Sequence, residues 1–160
     1  MKKKLYIAYG SNINLEQMAH RCPNSRVVGT AMIPDYELEF RRVATIVSKQ
    51  GAKVPVLLWE IPKADERSLD IYEGFPRLYR KEELEFELNG QTVTGMAYVM
   101  NSGSIMPPAS HYYACILKGY QTNGMDTSYL EQALKNSFET QIADICEESE
   151  ELNELQMALE

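Results

Sequence analysis

Histidine and cysteine are scarce in this sequence, with two of the first and three of the second in 160 residues. His20 and His111 lie far apart, and neither has the cysteine or acid cluster that a metal site needs. Cys22, Cys115 and Cys146 are odd in number, widely spaced and free of any C-x-x-C pair, which fits free thiols in a reducing cytoplasm rather than a disulfide framework. No run approaches the roughly 20 apolar residues of a membrane span. Lys2-Lys3-Lys4 imitates the start of a secretion signal, but the apolar stretch behind it ends at Gly10. Excess positive charge is also missing: the net charge is −7, a field that disfavours nucleic acid. The phosphate-loop spacing G-x-x-x-x-G-K and the G-x-S-x-G nucleophile elbow are both absent. Hydrolysis by a serine nucleophile would need a histidine beside it. His20 and Cys22 fail as a dyad, because residues two apart on a helix do not face each other.

What is present is ordinary in amount and specific in arrangement. Apolar residues make up 44% and charged residues 24%, as in a soluble domain with a real core. Leu5-Tyr6-Ile7-Ala8-Tyr9 reads as a buried strand running into Gly10-Ser11-Asn12, with a helical pattern opening at once behind it. Such a corner leaves backbone N–H groups without partners, ready for an anionic or developing oxyanionic oxygen. Taken alone, the same three residues are equally a plain strand-to-helix turn. Asn14 and Gln17 have capping-box spacing ahead of a short helix stopped by Pro23.

Strands follow at Arg26 to Ile33, Tyr36 to Arg41, Val43 to Ser48 and Val54 to Ile61, with breaks at Pro34-Asp35 and Gln50-Gly51. A helix is predicted from Lys63 to Tyr72, with Gly74 as its left-handed stop. Tyr79 to Leu88 alternates apolar and acidic residues, Asn89-Gly90 is a strong hairpin signal, and Gln91 to Met100 returns as partner strand. Helical patterns run from Ser110 to Tyr120 and from Thr127 to Phe138. Glu147 to Glu160 reads as a peripheral acidic helix or frayed tail. The expected organisation is one domain over 1–140 with an acidic extension over 141–160. The expected fold class is α+β: a mixed, mainly antiparallel sheet, closing into a small β-barrel, with peripheral helices.

Glu73 is the acid with the most unusual position. It ends an amphipathic helix, where the negative end of the dipole favours the protonated form, and Ile71, Tyr72 and Phe75 promise desolvation in the same direction. Both effects move a carboxyl toward neutrality, as proton shuttling requires. By itself the segment also describes a solvated glutamate ahead of a glycine cap. Among ten tyrosines, Tyr9, Tyr79, Tyr98, Tyr112 and Tyr113 are candidates to line a pocket, although core packing is the default for each.

Tyr6-Ile7-Ala8-Tyr9-Gly10-Ser11-Asn12-Ile13 resembles the Y-G-S-N-L loop of the γ-glutamylcyclotransferase family. Leu69-Asp70-x-x-Glu73-Gly74 with Tyr79 behind it resembles that family's second signature. Ala44-Thr45-Ile46, the strand ending at Trp59, Ala97-Tyr98-Val99-Met100, Pro107-Pro108 and Tyr112 ahead of a helix ending in Asn123-Gly124 fall in the family's order, so the likeness spans roughly residues 5 to 124. Val54-Pro55-Val56 departs from it where many members carry glycine. The Asn12 form of the loop differs from that of the glutathione-specific and γ-glutamylamine-type relatives. The resemblance implies an enzyme in which the substrate's own α-amine attacks its γ-glutamyl carbonyl, giving 5-oxoproline and a free amine or amino acid. It implies no metal, no cofactor and no protein nucleophile. It casts Glu73 as acid/base and Tyr9, Gly10, Ser11, Asn12, Ile13, Tyr79 and Tyr112 as the substrate-binding residues. The implied partner is a small γ-glutamyl molecule, with no nucleic acid or membrane, in a cytoplasmic monomer or homodimer. The rival expectation is a non-catalytic module on the same fold, binding a γ-glutamyl metabolite or a protein. Arg41-Arg42 and Ser102 to Pro108 are the loops expected near the leaving group.

Overall fold

The computed structural model describes residues 2–159 of the chain, so the terminal residues 1 and 160 of the two expected segments lie outside the described residues. Strand β1 (Lys4–Ala8) is followed by a single 3₁₀ turn (Ser11–Ile13) and helix α1 (Leu15–Arg21). Then come β2 (Arg26–Arg41), β3 (Val43–Ile61), α2 (Lys63–Glu73), β4 (Tyr79–Leu88), β5 (Gln91–Met100), α3 (Ser110–Thr122) and α4 (Ser128–Leu159). One five-stranded sheet has the order β2-β3-β1-β5-β4. β1 lies at its centre, antiparallel to β3 and parallel to β5. The sheet is therefore mixed and mainly antiparallel, as the strand pattern predicts.

The expected closure into a barrel does not occur. β2 and β4 remain the edges of an open sheet. They curl toward each other, but a gap of about 600 Å³ lined by Met32, Pro34, Glu85 and Phe86 takes the place of a hydrogen-bonded seam. Pro34 has no N–H to give to such a seam, which suits an edge. The breaks at Pro34-Asp35 and Gln50-Gly51 also turn out differently. Each is an irregularity inside one long strand, and the two face each other in the β2–β3 pairing. Asp35 (φ 61°) and Gly51 (φ 84°) absorb the extra residues in left-handed backbone, and Gly51 N–H donates to Asp35 Oδ1 at 3.0 Å. The two helical patterns near the C-terminus are one 32-residue helix, α4, whose last buried residue is Ser137. Beyond it, Ile142, Ile145, Leu152 and Leu155 face solvent.

The β4–β5 hairpin keeps its predicted register, with Leu88 opposite Gln91 across Asn89-Gly90, both in left-handed backbone. Leu84 and Phe86 are buried, while Glu83, Glu85 and Glu87 are exposed. Ile7, Leu58, Ile61, Leu69, Ile116 and Tyr120 fill the core around β1. Among the described residues no helix is long and apolar enough to cross a membrane.

Helix α3 packs directly on the bend after β1. Asn123 Nδ2 donates to Ile13 O at 3.1 Å, and Asn14 Nδ2 donates to Cys115 O at 3.0 Å. The approach is close enough that a Cβ on Gly119 would stand 2.8 Å from the carbonyl carbon of Ile13 and 2.9 Å from Asn14 N. Glycine-to-alanine changes inside helices usually stabilise, by up to about 1 kcal/mol. Here the sign reverses. Gly119→Ala is expected to lower stability by about 1–3 kcal/mol, as overpacking does, read as a lower urea midpoint with an unchanged slope.

Candidate active site

β1 ends at Ala8, and the chain turns at Gly10 into the 3₁₀ turn instead of entering α1 directly. Ile13 N–H donates to Gly10 O and Asn14 N–H to Ser11 O, which closes the turn. Among the described residues the N–H groups of Gly10, Ser11 and Asn12 have no protein acceptor. The α-helix proper starts only at Leu15, where Asn14 Oδ1 accepts from Gln17 N–H at 3.1 Å. The helix N-terminus thus belongs to α1, and the bend itself offers bare amides.

Asn12 fixes this bend. Its side chain is buried, its Nδ2 donates to Tyr6 Oη at 2.8 Å, and its backbone carbonyl accepts from Trp59 Nε1 at 3.0 Å. Its Oδ1 accepts from Arg21 Nη1 at 2.6 Å. Every hydrogen-bonding group of that side chain is therefore engaged by the protein, whereas the three amides are not.

Across a pocket of about 280 Å³ from the bend stands Glu73. α2 ends there because Gly74 adopts left-handed backbone (φ 65°) and Phe75 N–H caps Asp70 O at 2.9 Å. Glu73 is half-buried, and among the described residues its carboxyl makes no hydrogen bond and no ion pair with the protein. Burial pushes its pKa up to about 7, with the Arg21 charge pulling the other way. The cause differs from the expected one in part: Ile71 is 83% exposed and points away, so it desolvates nothing.

Tyrosines form the walls. Tyr9 donates to Tyr98 O, Tyr79 donates to Ala44 O at 3.0 Å, and Tyr112 accepts from Ala44 N–H at 3.0 Å. Burial raises the pKa of Tyr6, Tyr9, Tyr79 and Tyr112, and the nearby charge of Glu73 adds to it, so all four remain neutral hydroxyls. Tyr72 stands over the opening, its hydroxyl 3.1 Å from Ser11 Oγ. Val43 and Leu78, both partly exposed, form an apolar rim.

Of the residues singled out in the sequence, Tyr9, Gly10, Ser11, Asn12, Glu73, Tyr79 and Tyr112 meet at this pocket. Ile13 does not. It is fully buried beneath the bend against Gly119, because the 3₁₀ turn rotates it inward. Of the candidate wall tyrosines, Tyr98 lines the pocket, but Tyr113 packs on Phe40 with ring centroids 6.1 Å apart. Tyr6 and Tyr72 line the pocket as well, with no site signal of their own in the sequence beyond the place of Tyr72 next to Glu73. Neither Arg41-Arg42 nor Ser102 to Pro108 lines the pocket; Met106 pairs with Arg41 and its carbonyl accepts from Arg42 N–H, which ties these two loops together next to Val43. Cys22 is buried, with its thiol pushed up to about 12 by desolvation, so it is no nucleophile. Among the described residues no group of three or more histidines, cysteines or acids could hold a metal ion.

The pocket and both its signatures fall inside a segment with known relatives. Bovine (Bos taurus) gamma-glutamylcyclotransferase is 30% identical over 149 residues, covering 84% of this chain and 78% of that protein. The human (Homo sapiens) gamma-glutamylcyclotransferase is 29% identical over 142 residues, covering 80% and 76%. A solved structure titled gamma-glutamyl cyclotransferase superposes with a TM-score of 0.76 at 27% identity, covering 82% of this chain and 86% of that one. The family described as gamma-glutamyl cyclotransferase, AIG2-like, matches residues 6–119, from β1 through most of α3, and the chain belongs to that family.

Proposed function

We propose that this protein is a γ-glutamylcyclotransferase: it cyclises the γ-glutamyl group of a γ-glutamyl amino acid or amine to 5-oxoproline and releases the free amine. One observation carries the reading: an unpaired carboxyl with a pKa near neutrality and a run of unpartnered amides share one small pocket. Family membership supports the same chemistry.

In this reaction the substrate brings its own nucleophile. The α-amine attacks the γ-carbonyl, a C–N bond closes the five-membered ring, and the original amide C–N bond breaks. Holding the glutamyl chain curled supplies the proximity advantage, worth up to about 7–11 kcal/mol for well-oriented intramolecular reactions. The amine must lose a proton and the departing nitrogen must gain one. Glu73 serves both needs as general base and then general acid, since a carboxyl poised near 7 exchanges protons readily at neutral pH. The amides of Gly10, Ser11 and Asn12 receive a negatively charged substrate oxygen, and an oxyanion donor is worth about 3–4 kcal/mol. Tyr9, Tyr79 and Tyr112 shape the cavity around the folded chain. The leaving group extends over Val43 and Leu78 toward solvent. The free thiols fit the cytoplasm as the place of action.

Glu73→Gln is expected to keep the fold and substrate binding while losing turnover by roughly 10²–10⁴-fold, measured as 5-oxoproline by mass spectrometry over a panel of γ-glutamyl compounds. Unchanged product release by that variant would refute the acid/base role; saturable binding without any product from the unaltered protein would favour a binding module. In the unaltered enzyme, kcat/KM is expected to rise with pH on an acidic limb centred near 7, as Glu73 loses its proton.

Stability should run in the opposite direction. The folded-state pKa of Glu73 lies above its ordinary value, so the folded protein holds a proton that the unfolded chain has released. Its contribution is fully present at acid pH and is lost as pH rises through about 7. At 1.36 kcal/mol per unit the loss is at most about 3 kcal/mol. Thermal melts should therefore show Glu73→Gln gaining stability over the parent above neutrality and little or nothing near pH 4.

A further inference from the structure

We propose that Arg21 is a positioning residue of this site: its guanidinium is clamped between Asn12 and the Tyr72 ring, and so ties the amide bend to the side chain over the opening. The clamp's kinetic consequences rest on the cyclisation reading above, while its geometry stands apart from any reaction. Arg21 is the last residue of α1, which places its side chain over both partners. Nη1 donates to Asn12 Oδ1 at 2.6 Å, Nη2 donates to Gln17 Oε1 at 2.7 Å, and Cζ lies 3.6 Å from the centroid of the Tyr72 ring. Among the described residues Arg21 forms no ion pair with a carboxylate. Its planar fork is spent on two neutral amides and a ring face, a geometry that lysine cannot reproduce.

Removing the guanidinium strips Asn12 Oδ1 of its donor in a buried position, a costly arrangement that favours rotation of the side chain. That rotation would disturb the carbonyl that holds Trp59 and the three free amides with it. Tyr72, 45% exposed, would lose its stacking partner and with it the 3.1 Å pairing to Ser11. Arg21 also supplies a field. Glu73 is faced by the Tyr6 and Tyr9 hydroxyls from the β1 end, Tyr79 from β4 and Tyr112 from α3, all neutral. Arg21 is the cation whose charge opposes the desolvation of Glu73. Arg41, the cation near Tyr79, is paired with Glu39 at 2.6 Å.

The chain's single tryptophan, Trp59, donates to Asn12 O and so reports on the bend whether or not catalysis occurs. In the full-length protein, Arg21→Met is expected to shift Trp59 emission in the folded state. It should also raise KM for a γ-glutamyl amino acid about tenfold or more, with a smaller fall in kcat, and move the acidic limb to higher pH. Arg21→Lys should restore the limb, since charge returns, and leave KM and Trp59 emission displaced. Parent-like emission and KM in folded Arg21→Met would overturn the clamp, as would full rescue of all three readouts by lysine. If Arg21→Met does not fold, Tyr72→Leu removes the stacking platform instead, and parent-like emission and KM in that variant overturn the proposal. An unaltered protein that forms no 5-oxoproline would end the cyclisation reading alone, because Trp59 emission still decides the clamp.

Discussion

A carboxyl group without a partner, held among neutral hydroxyls, is the arrangement on which the rest of this structure depends. Burying an acid normally ends in an ion pair or in neutralisation, because the charged form loses its hydration. Glu73 does neither completely. It is buried enough to titrate near 7 and is compensated only by the field of Arg21. The surrounding fold can be understood as what keeps it so: α2 delivers the side chain at its last turn, Gly74 bends the chain away, and β4 returns with Tyr79 to close the wall.

The opposite wall requires rigidity of another kind. Three amides must stay free of protein acceptors without collapsing onto one, and the bend achieves this by anchoring everything else. Asn12 is held by Tyr6, Trp59 and Arg21, which belong to β1, β3 and α1, while Asn123, the residue that caps the end of α3, grips Ile13 from below. Four elements thus meet at one short turn. The central place of β1 makes this possible, since a strand with neighbours on both sides ends in the midst of the structure rather than at an edge.

Local signals were legible in the sequence where one residue type answers one backbone need. Asn89-Gly90 gave the hairpin register, Gly74 the end of α2, and Asn14 with Gln17 the start of α1. Glu73 and the Gly10-Ser11-Asn12 bend were legible as a pair because they lie in two ordered signatures. Irregularities inside long strands were not. Pro34-Asp35 and Gln50-Gly51 carry turn chemistry, and only the pairing of β2 with β3 reveals that the two face each other inside a continuous ladder whose register shifts there. Ile13 lies beneath the bend rather than in the pocket because a 3₁₀ turn and an α-helix send the same residue to different sides. Arg21 left no signal, since a basic residue in a last helical turn is commonplace and its partners are 9 and 51 positions away. Barrel closure depends on how the edges meet, and a strand's own pattern does not encode that.

The prevalence of tyrosine in the walls has a physical reason tied to Glu73. A pocket for a zwitterionic glutamyl chain needs hydrogen-bonding capacity, and lysine or arginine would supply it at close range. Either would also stabilise the carboxylate and drag its pKa back toward the ordinary range, away from the neutrality that the proposed acid/base role calls for. Tyrosine provides donors and acceptors that stay uncharged, and burial together with the Glu73 charge raises their own pKa values further. Phenols of this kind are neutral at physiological pH, so they leave the acid without a compensating charge. Arg21 fits this logic by its placement against Asn12 and the Tyr72 ring rather than among the wall residues, while its charge still opposes the desolvation of Glu73.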